Sequence, residues 1–140
     1  MANPTIQQLA ADLAAGRTTS RKLTEEALDR IEDAKGEGKR AFIKVYKTQA
    51  LAAADASDAL RRAGIVASPL AGLPVSIKNL CDVAGETTLA GSKALGDAPP
   101  AGEDAPVVTR LRAAGAVRSE ERRVGKECYA LCRSRWSPYH

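Results

Sequence analysis

Residues 70–82 read LAGLPVSIKNLCD, and a single lysine ends the apolar segment inside this stretch. Gly72 and Pro74 punctuate the start of the segment, and most residues from Pro74 to Lys78 are apolar or β-branched. Such a pattern is typical of a strand of about five residues. The stretch therefore predicts a strand that ends near Lys78 and leads into a loop.

Side chains alternate along a strand, which places Val75 and Ile77 on one face and Ser76 and Lys78 on the other. A lysine at the carboxyl end of a strand, just before a loop rich in Gly, Thr and Ser, occupies a position where α/β proteins commonly bind ligands. An exposed lysine at a sheet edge is the plainer interpretation, because most lysines lie at the surface. The strand pattern alone leaves both possibilities open.

Two helices are predicted upstream of this strand. Thr5 and Gln8 fit a capping box, and Gly16 follows the first helix. Ser20 is predicted to cap a second helix that ends before Gly36. Its inward stripe is predicted to consist of Leu23, Ala27, Ile31 and Ala34. The segment KGEGK, residues 35–39, is predicted as a turn.

A strand at 41–46 (AFIKVY) and an Ala-rich helix at about 48–63 are predicted between the second helix and residues 70–82. The polar side of that helix is predicted to carry Asp55, Asp58, Arg61 and Arg62. A long loop at 82–106 and a helix opened by Asp104 and Pro106 follow, with Gly115 at the helix end. This alternation of helices and strands predicts an α/β architecture.

The segment PLAGLPVSIKNLCDVAGETTLAGS, residues 69–92, resembles the amidase signature family. Members carry Pro-Leu-x-Gly-Leu/Ile-Pro-Val-x-Ile/Val-Lys-Asp, then Asp-Val-x-Gly and Thr-x-x-Gly-Ser. The resemblance extends over residues 5–117 and implies an N-terminal fragment of the amidase signature fold, with helices packed on part of a mixed sheet. It also implies hydrolysis of carboxylic amides without a metal or cofactor.

By this resemblance, Lys78 corresponds to the catalytic lysine of a Ser–cis-Ser–Lys triad. Asn79 stands where aspartate is commoner in the family, so this chain departs from the pattern there by having no carboxylate. The loop that approaches the site is matched by the candidates Asp82, Thr87, Thr88, Gly91 and Ser92. A plain structural or turn-forming role is the alternative for each of them, and Ser92 is not the nucleophile.

A lysine acts as a base only in its neutral form, and surroundings that exclude water make an amine easier to uncharge. The side chains expected to provide these surroundings are Leu73, Val75, Ile77 and Leu80. Cys81 is expected to be a small buried apolar residue.

Charge and composition divide the chain at about residue 117. Residues 1–117 carry 15 basic and 14 acidic residues, whereas 118–140 carry six and three. No apolar stretch approaches the roughly 20 residues of a membrane span, and the N-terminus lacks the basic start and apolar block of a signal peptide. We therefore expect a cytoplasmic protein without a membrane partner.

The segment RSEERRVGKEC, residues 118–128, resembles a translated sequencing adapter rather than any continuation of the family. Residues 118–140 are accordingly expected to be a non-native, disordered tail on a truncated amidase segment of residues 1–117. Metal binding is the first alternative, but Cys128, Cys132 and His140 offer only three ligands. RNA binding by the basic tail is the second, and no specific nucleic-acid partner is expected.

The Gly-Gly-Ser-Ser-Gly-Gly type of loop that bears both family serines is missing from the 140 residues. The chain is therefore expected to be inactive alone, although its full-length relative would bind a small amide. Two other functions stay open: the A subunit of a glutamyl- or aspartyl-tRNA amidotransferase, and a small non-enzymatic binding protein with a basic tail. The oligomeric state is not predicted.

Overall fold

The computed structural model describes residues 4–122, in which helices cover a three-stranded sheet. The elements in chain order are α1 Ile6–Ala14, α2 Ser20–Glu32, α3 Gly38–Ala41, β1 Phe42–Val45, α4 Lys47–Arg62, β2 Pro74–Lys78, a 3₁₀ turn Lys93–Leu95, α5 Pro106–Ala113 and β3 Val117–Arg122. None of the helices in the described range is long and apolar enough to cross a membrane.

The sheet has the order β1-β3-β2, with β3 in the centre. β3 pairs antiparallel with β1 and parallel with β2, so the sheet is mixed. Helix α4 packs near the start of β3, where Ala50 and Ala54 contact Val117. A second cluster joins Ile77 of β2 to Val108 of α5. The α/β architecture and the mixed sheet are confirmed.

Strand β3 crosses the boundary predicted at residue 117. Arg118–Arg122 continue β3, so the prediction of disorder is wrong for these five residues. The reason is that β3 finds a backbone partner on each side and buries Val117 and Ser119 on either side of half-buried Arg118. The rest of the predicted tail, with Cys128, Cys132 and His140, lies outside the described residues.

Helices α1, α4 and α5 follow their local signals closely. The capping box at Thr5 and Gln8 is present, and α4 runs over the Ala-rich segment that Gly64 ends. The segment at 35–39 is only partly a turn, because Gly38 already begins the single helical turn α3.

The N-cap of α2 is Thr19, not Ser20 as predicted. Thr19 accepts a hydrogen bond from the Lys22 N–H at 3.1 Å. Ser20 is buried instead, and its hydroxyl donates to the Gly72 carbonyl at 2.7 Å, just before β2. The Ser20 side chain, which the local pattern predicts as the helix cap, therefore makes a tertiary contact instead.

The buried face of α2 is rotated relative to the predicted stripe. Only Ile31 of that stripe is buried; Leu23 and Ala27 are half-buried, and Ala34 is exposed beyond the helix end. The buried residues are Ser20, Thr24, Leu28 and Ile31. Their spacing of three to four residues forms one helical face that begins at Ser20.

Asp58 explains this rotation, and its predicted position on the polar side of α4 is wrong. Asp58 is buried, and its carboxylate accepts hydrogen bonds from the backbone N–H groups of Ser20 and Arg21 at 2.8 and 3.0 Å. A carboxylate at a helix N-terminus satisfies free N–H groups and interacts favourably with the helix dipole. Asp58 thus turns the start of α2 toward α4.

Replacing Thr24 by valine is expected to stabilise the fold by about 1 kcal/mol. Thr24 is completely buried, and its hydroxyl has no hydrogen-bond partner among the described residues. Valine keeps the shape and removes the cost of desolvating that hydroxyl. The free energy of unfolding in urea measures the effect.

Ser20→Ala is the matched control, because its buried hydroxyl on the same helix face has a partner. It should destabilise by about 1 kcal/mol. Equal losses in the two variants would contradict this account of Thr24.

Candidate active site

Lys78 is the last residue of β2 and is half-buried. The predicted alternation is confirmed: Ile77 is buried with Val75 packed beside it on the side of α5, while Ser76 is exposed. The residues expected to provide apolar surroundings for the amine differ in burial. Leu73 is buried, but Leu80 is 45% exposed in the turn after the strand, because the chain leaves the sheet there.

Asn79, the neighbour of Lys78, is 1% exposed and binds the following loop. Its Nδ2 donates to the Thr87 carbonyl at 3.2 Å, and its Oδ1 accepts from the Leu89 N–H at 2.7 Å. Its own carbonyl accepts from the Ala90 N–H at 2.9 Å. The loop is therefore held against the carboxyl end of β2, beside the candidate base.

Asp82 and Thr88, two of the candidate loop residues, are brought together. The Thr88 hydroxyl donates to Asp82 Oδ1 at 2.6 Å. The Asp82 carbonyl accepts from the Ala105 N–H at 2.8 Å, which ties this part of the loop to the start of α5. Thr87 donates to the Ala98 carbonyl at 3.1 Å, further along the same loop.

Gly91 and Ser92 lie in the tight turn that follows, and both are exposed. Ala90 and Gly91 have φ values of 47° and 75°, in the left-handed region that favours glycine. The Ser92 N–H donates to the Leu89 carbonyl at 2.7 Å, and the Ser92 hydroxyl accepts from the Ala94 N–H at 3.2 Å. These contacts orient Ser92 toward the 3₁₀ turn.

A polar cluster that includes the loop residue Glu86 was not predicted. Glu86, in the loop, accepts hydrogen bonds from Lys44 Nζ of β1 at 2.7 and 2.8 Å. The bond from Lys44 lowers the pKa of the Glu86 carboxyl below its ordinary value, burial opposes this, and a hydrogen bond with Tyr46 lowers it further. The Arg118 guanidinium lies 3.9 Å from the centre of the Tyr46 ring. The residues of this cluster come from segments far apart in sequence, so no local sequence pattern could predict it.

Within residues 4–122, no three His, Cys, Asp or Glu side chains are grouped so that they could hold a metal ion. Among the side chains described here, those of Lys78, Asp82, Glu86, Lys44 and Arg118 carry charge. What the arrangement offers chemically is one amine at the strand end and a hydrogen-bonded loop beside it.

The match to known proteins covers most of the residues that the structure describes. A family model described as Amidase matches residues 22–119. The chain belongs to the amidase family. The AtzE subunit of 1-carboxybiuret hydrolase from Pseudomonas sp. strain ADP is 50% identical over 105 residues, which cover 75% of this chain and 23% of that protein.

Two further relatives of this amidase-family chain extend the comparison. The A subunit of glutamyl-tRNA(Gln) amidotransferase from Chromohalobacter salexigens is 45% identical over 117 residues, covering 84% of this chain and 24% of that protein. The peptide amidase of Stenotrophomonas maltophilia has a similar structure, with a TM-score of 0.74 and 36% identity over 86% of this chain and 25% of that enzyme. The chain thus spans about a quarter of the length of the curated relatives it matches.

Proposed function

We propose that this chain supplies the lysine of an amidase active site that hydrolyses a small carboxylic amide. The observation that carries the proposal is the position of Lys78: it ends β2, directly before a buried asparagine that holds the 87–90 loop beside it. The family membership supports amide hydrolysis as the reaction. Neither a metal nor a cofactor is required by this chemistry.

In the proposed reaction, the neutral Lys78 amine accepts a proton through a bridging serine from a nucleophilic serine. The nucleophilic oxygen then forms a bond to the amide carbon, and the tetrahedral intermediate collapses as the C–N bond breaks. The leaving nitrogen takes the proton, and water hydrolyses the acyl-enzyme ester in a second step that regenerates the serine. Lys78 thus serves as base and then as the source of the returned proton.

Both serines are proposed to come from outside these 140 residues, because the sequence has no Gly/Ser-rich loop of the family type. The chain alone is then expected to show no amide turnover. A chimera provides the test: residues 22–119 replace the matching segment of the Stenotrophomonas maltophilia peptide amidase. The chimera is expected to hydrolyse a peptide amide.

Lys78→Ala in that chimera is expected to lower kcat by about 10³-fold or more, because general-base catalysis is lost. Lys78→Arg should be equally inactive, since a guanidinium keeps its proton in proteins. Lys93→Ala, an exposed lysine later in the same loop, is the matched control and should keep activity within about twofold. Turnover of the Lys78→Ala chimera at near the parent rate would refute the proposal.

An amidotransferase of the glutamyl-tRNA(Gln) type is the second candidate, favoured by the 45% identity to the Chromohalobacter salexigens protein. In that case the amide substrate is glutamine, and a partner protein receives the ammonia. The two candidates differ in their dependence on a partner. Glutamine hydrolysis by a chimera with that protein, together with no hydrolysis in the peptide amidase background, would favour the amidotransferase.

A further inference from the structure

Asn79 joins two segments in a way that a backbone peptide group would. Its side-chain amide donates to the carbonyl of residue 87 and accepts from the N–H of residue 89. A residue in a parallel strand pair makes the same two bonds to the residues that flank its partner. The Asn79 side chain therefore continues the hydrogen-bonding pattern of β2 by one step, with bonds to the residues on either side of Thr88.

These two bonds require a side chain that offers both a donor and an acceptor, as the Asn79 amide does. An asparagine side chain offers one acceptor and donor hydrogens on a single planar group, whereas a carboxylate offers acceptors only. Asn79 is 1% exposed, so bulk water cannot replace a lost bond. A carboxylate here would place an oxygen against the Thr87 carbonyl oxygen, which would lose its donor and be repelled.

The turn that follows these two bonds is strained, so it depends on nearby contacts to keep its conformation. Ala90 has a φ of 47°, although it is not a glycine, and such backbone persists only where surrounding contacts hold it. One of those contacts is the bond from the Ala90 N–H to the Asn79 carbonyl. The loop at 87–92 is thus fixed from one residue, next to Lys78.

We infer that Asn79 is a positioning residue that sets the 87–92 loop beside Lys78, and that its neutral amide is the group that does so. The position of the loop follows from the contacts alone, whereas its importance for amide chemistry rests on the proposed function. Hydrogen exchange on the full 140-residue chain tests the positioning without any turnover. A failed activity assay would therefore leave this inference standing, and a failed exchange assay would leave the proposed function standing.

The experiment compares Asn79→Asp and Asn79→Ala with the parent chain by amide hydrogen exchange followed by NMR at pH 7. Both variants are expected to speed exchange of the Leu89 amide by about tenfold or more. Asn79→Ala removes the acceptor oxygen, and in Asn79→Asp the repulsion between the carboxylate and the Thr87 carbonyl oxygen displaces it. The Leu28 amide, in the buried part of α2, serves as the internal reference for global opening. Ser76→Ala, an exposed change on the same strand, should alter neither rate.

Lowering the pH toward about 4 gives a second readout, since a protonated carboxyl regains a donor. Protection of Leu89, relative to its intrinsic exchange rate, should return in Asn79→Asp but not in Asn79→Ala. The charged side chains of the segments that Asn79 joins are Lys78, Asp82 and Glu86, and Lys44 faces Glu86. Asn79→Ala keeps all of these and corrects for their titration.

Unchanged Leu89 protection in Asn79→Asp at pH 7 would overturn the inference, and so would equal acceleration at Leu89 and Leu28. If the variants do not fold, the inference is tested on the parent chain by exchange of the Asn79 side-chain amide protons. Its Asn79 Nδ2 protons are expected to exchange at least about tenfold more slowly than those of Gln49, which is exposed on α4. Equal exchange of the two side-chain amides would overturn the inference as well.

Discussion

Replacing Gly38 by alanine is expected to lower the free energy of unfolding by about 3 kcal/mol or more. A Cβ built on Gly38 would lie 2.1 Å from the Ile31 carbonyl oxygen and 2.5 Å from its Cα. Both are backbone atoms, so no side-chain rotation can relieve the contact. Ile31 is buried in α2, and the end of that helix would have to separate from α3. Urea unfolding followed by circular dichroism measures the loss.

Gly36→Ala is the matched control, two residues away in the same connection. Its Cβ would meet nothing closer than 3.4 Å, and its φ lies outside the left-handed region. We expect a change within about 0.5 kcal/mol. Similar unfolding midpoints for the two alanine variants would show that the close approach of α3 to α2 is not maintained in solution.

Local signals were sufficient for much of this fold. The capping box at Thr5, the Ala-rich run of α4 and the proline that opens α5 act on neighbouring residues, so their consequences can be predicted from a short window. β3 could not be predicted in this way. Its residues RSEER have a weak strand pattern, but their backbone pairs with β1 on one side and with β2 on the other.

The candidate site divides along the same line. The resemblance to the amidase signature family located Lys78 and its loop from a contiguous motif, and the structure places the lysine at a strand end as expected. The bonds of Asn79 depend on how the loop closes eight to ten residues later. The Glu86–Lys44 pair joins residues 42 positions apart. Such contacts are properties of the folded chain and have no local signature.

Asp58→Ala is expected to lower the free energy of unfolding by about 2–4 kcal/mol. The carboxylate accepts the backbone N–H groups of Ser20 and Arg21, and Ser20 is completely buried. Truncation leaves these donors without their acceptor at the positive end of the α2 dipole, in a place that water reaches poorly. Because α2 and α4 pack together, the loss should weaken their contact as a whole. Urea unfolding at pH 7 measures the change.

Asp55→Ala tests whether burial and backbone bonding, rather than charge, give Asp58 its effect. Asp55 lies one turn earlier on α4 and pairs with Arg21 at 2.7 Å, but both side chains are well exposed. Surface ion pairs contribute at most about 1 kcal/mol, so this variant should lose about 0.5 kcal/mol. Asp58→Asn keeps one acceptor oxygen and should fall between the two alanine variants. If Asp55→Ala were as damaging as Asp58→Ala, general electrostatic attraction between α2 and α4 would explain the packing better than the capped N–H groups.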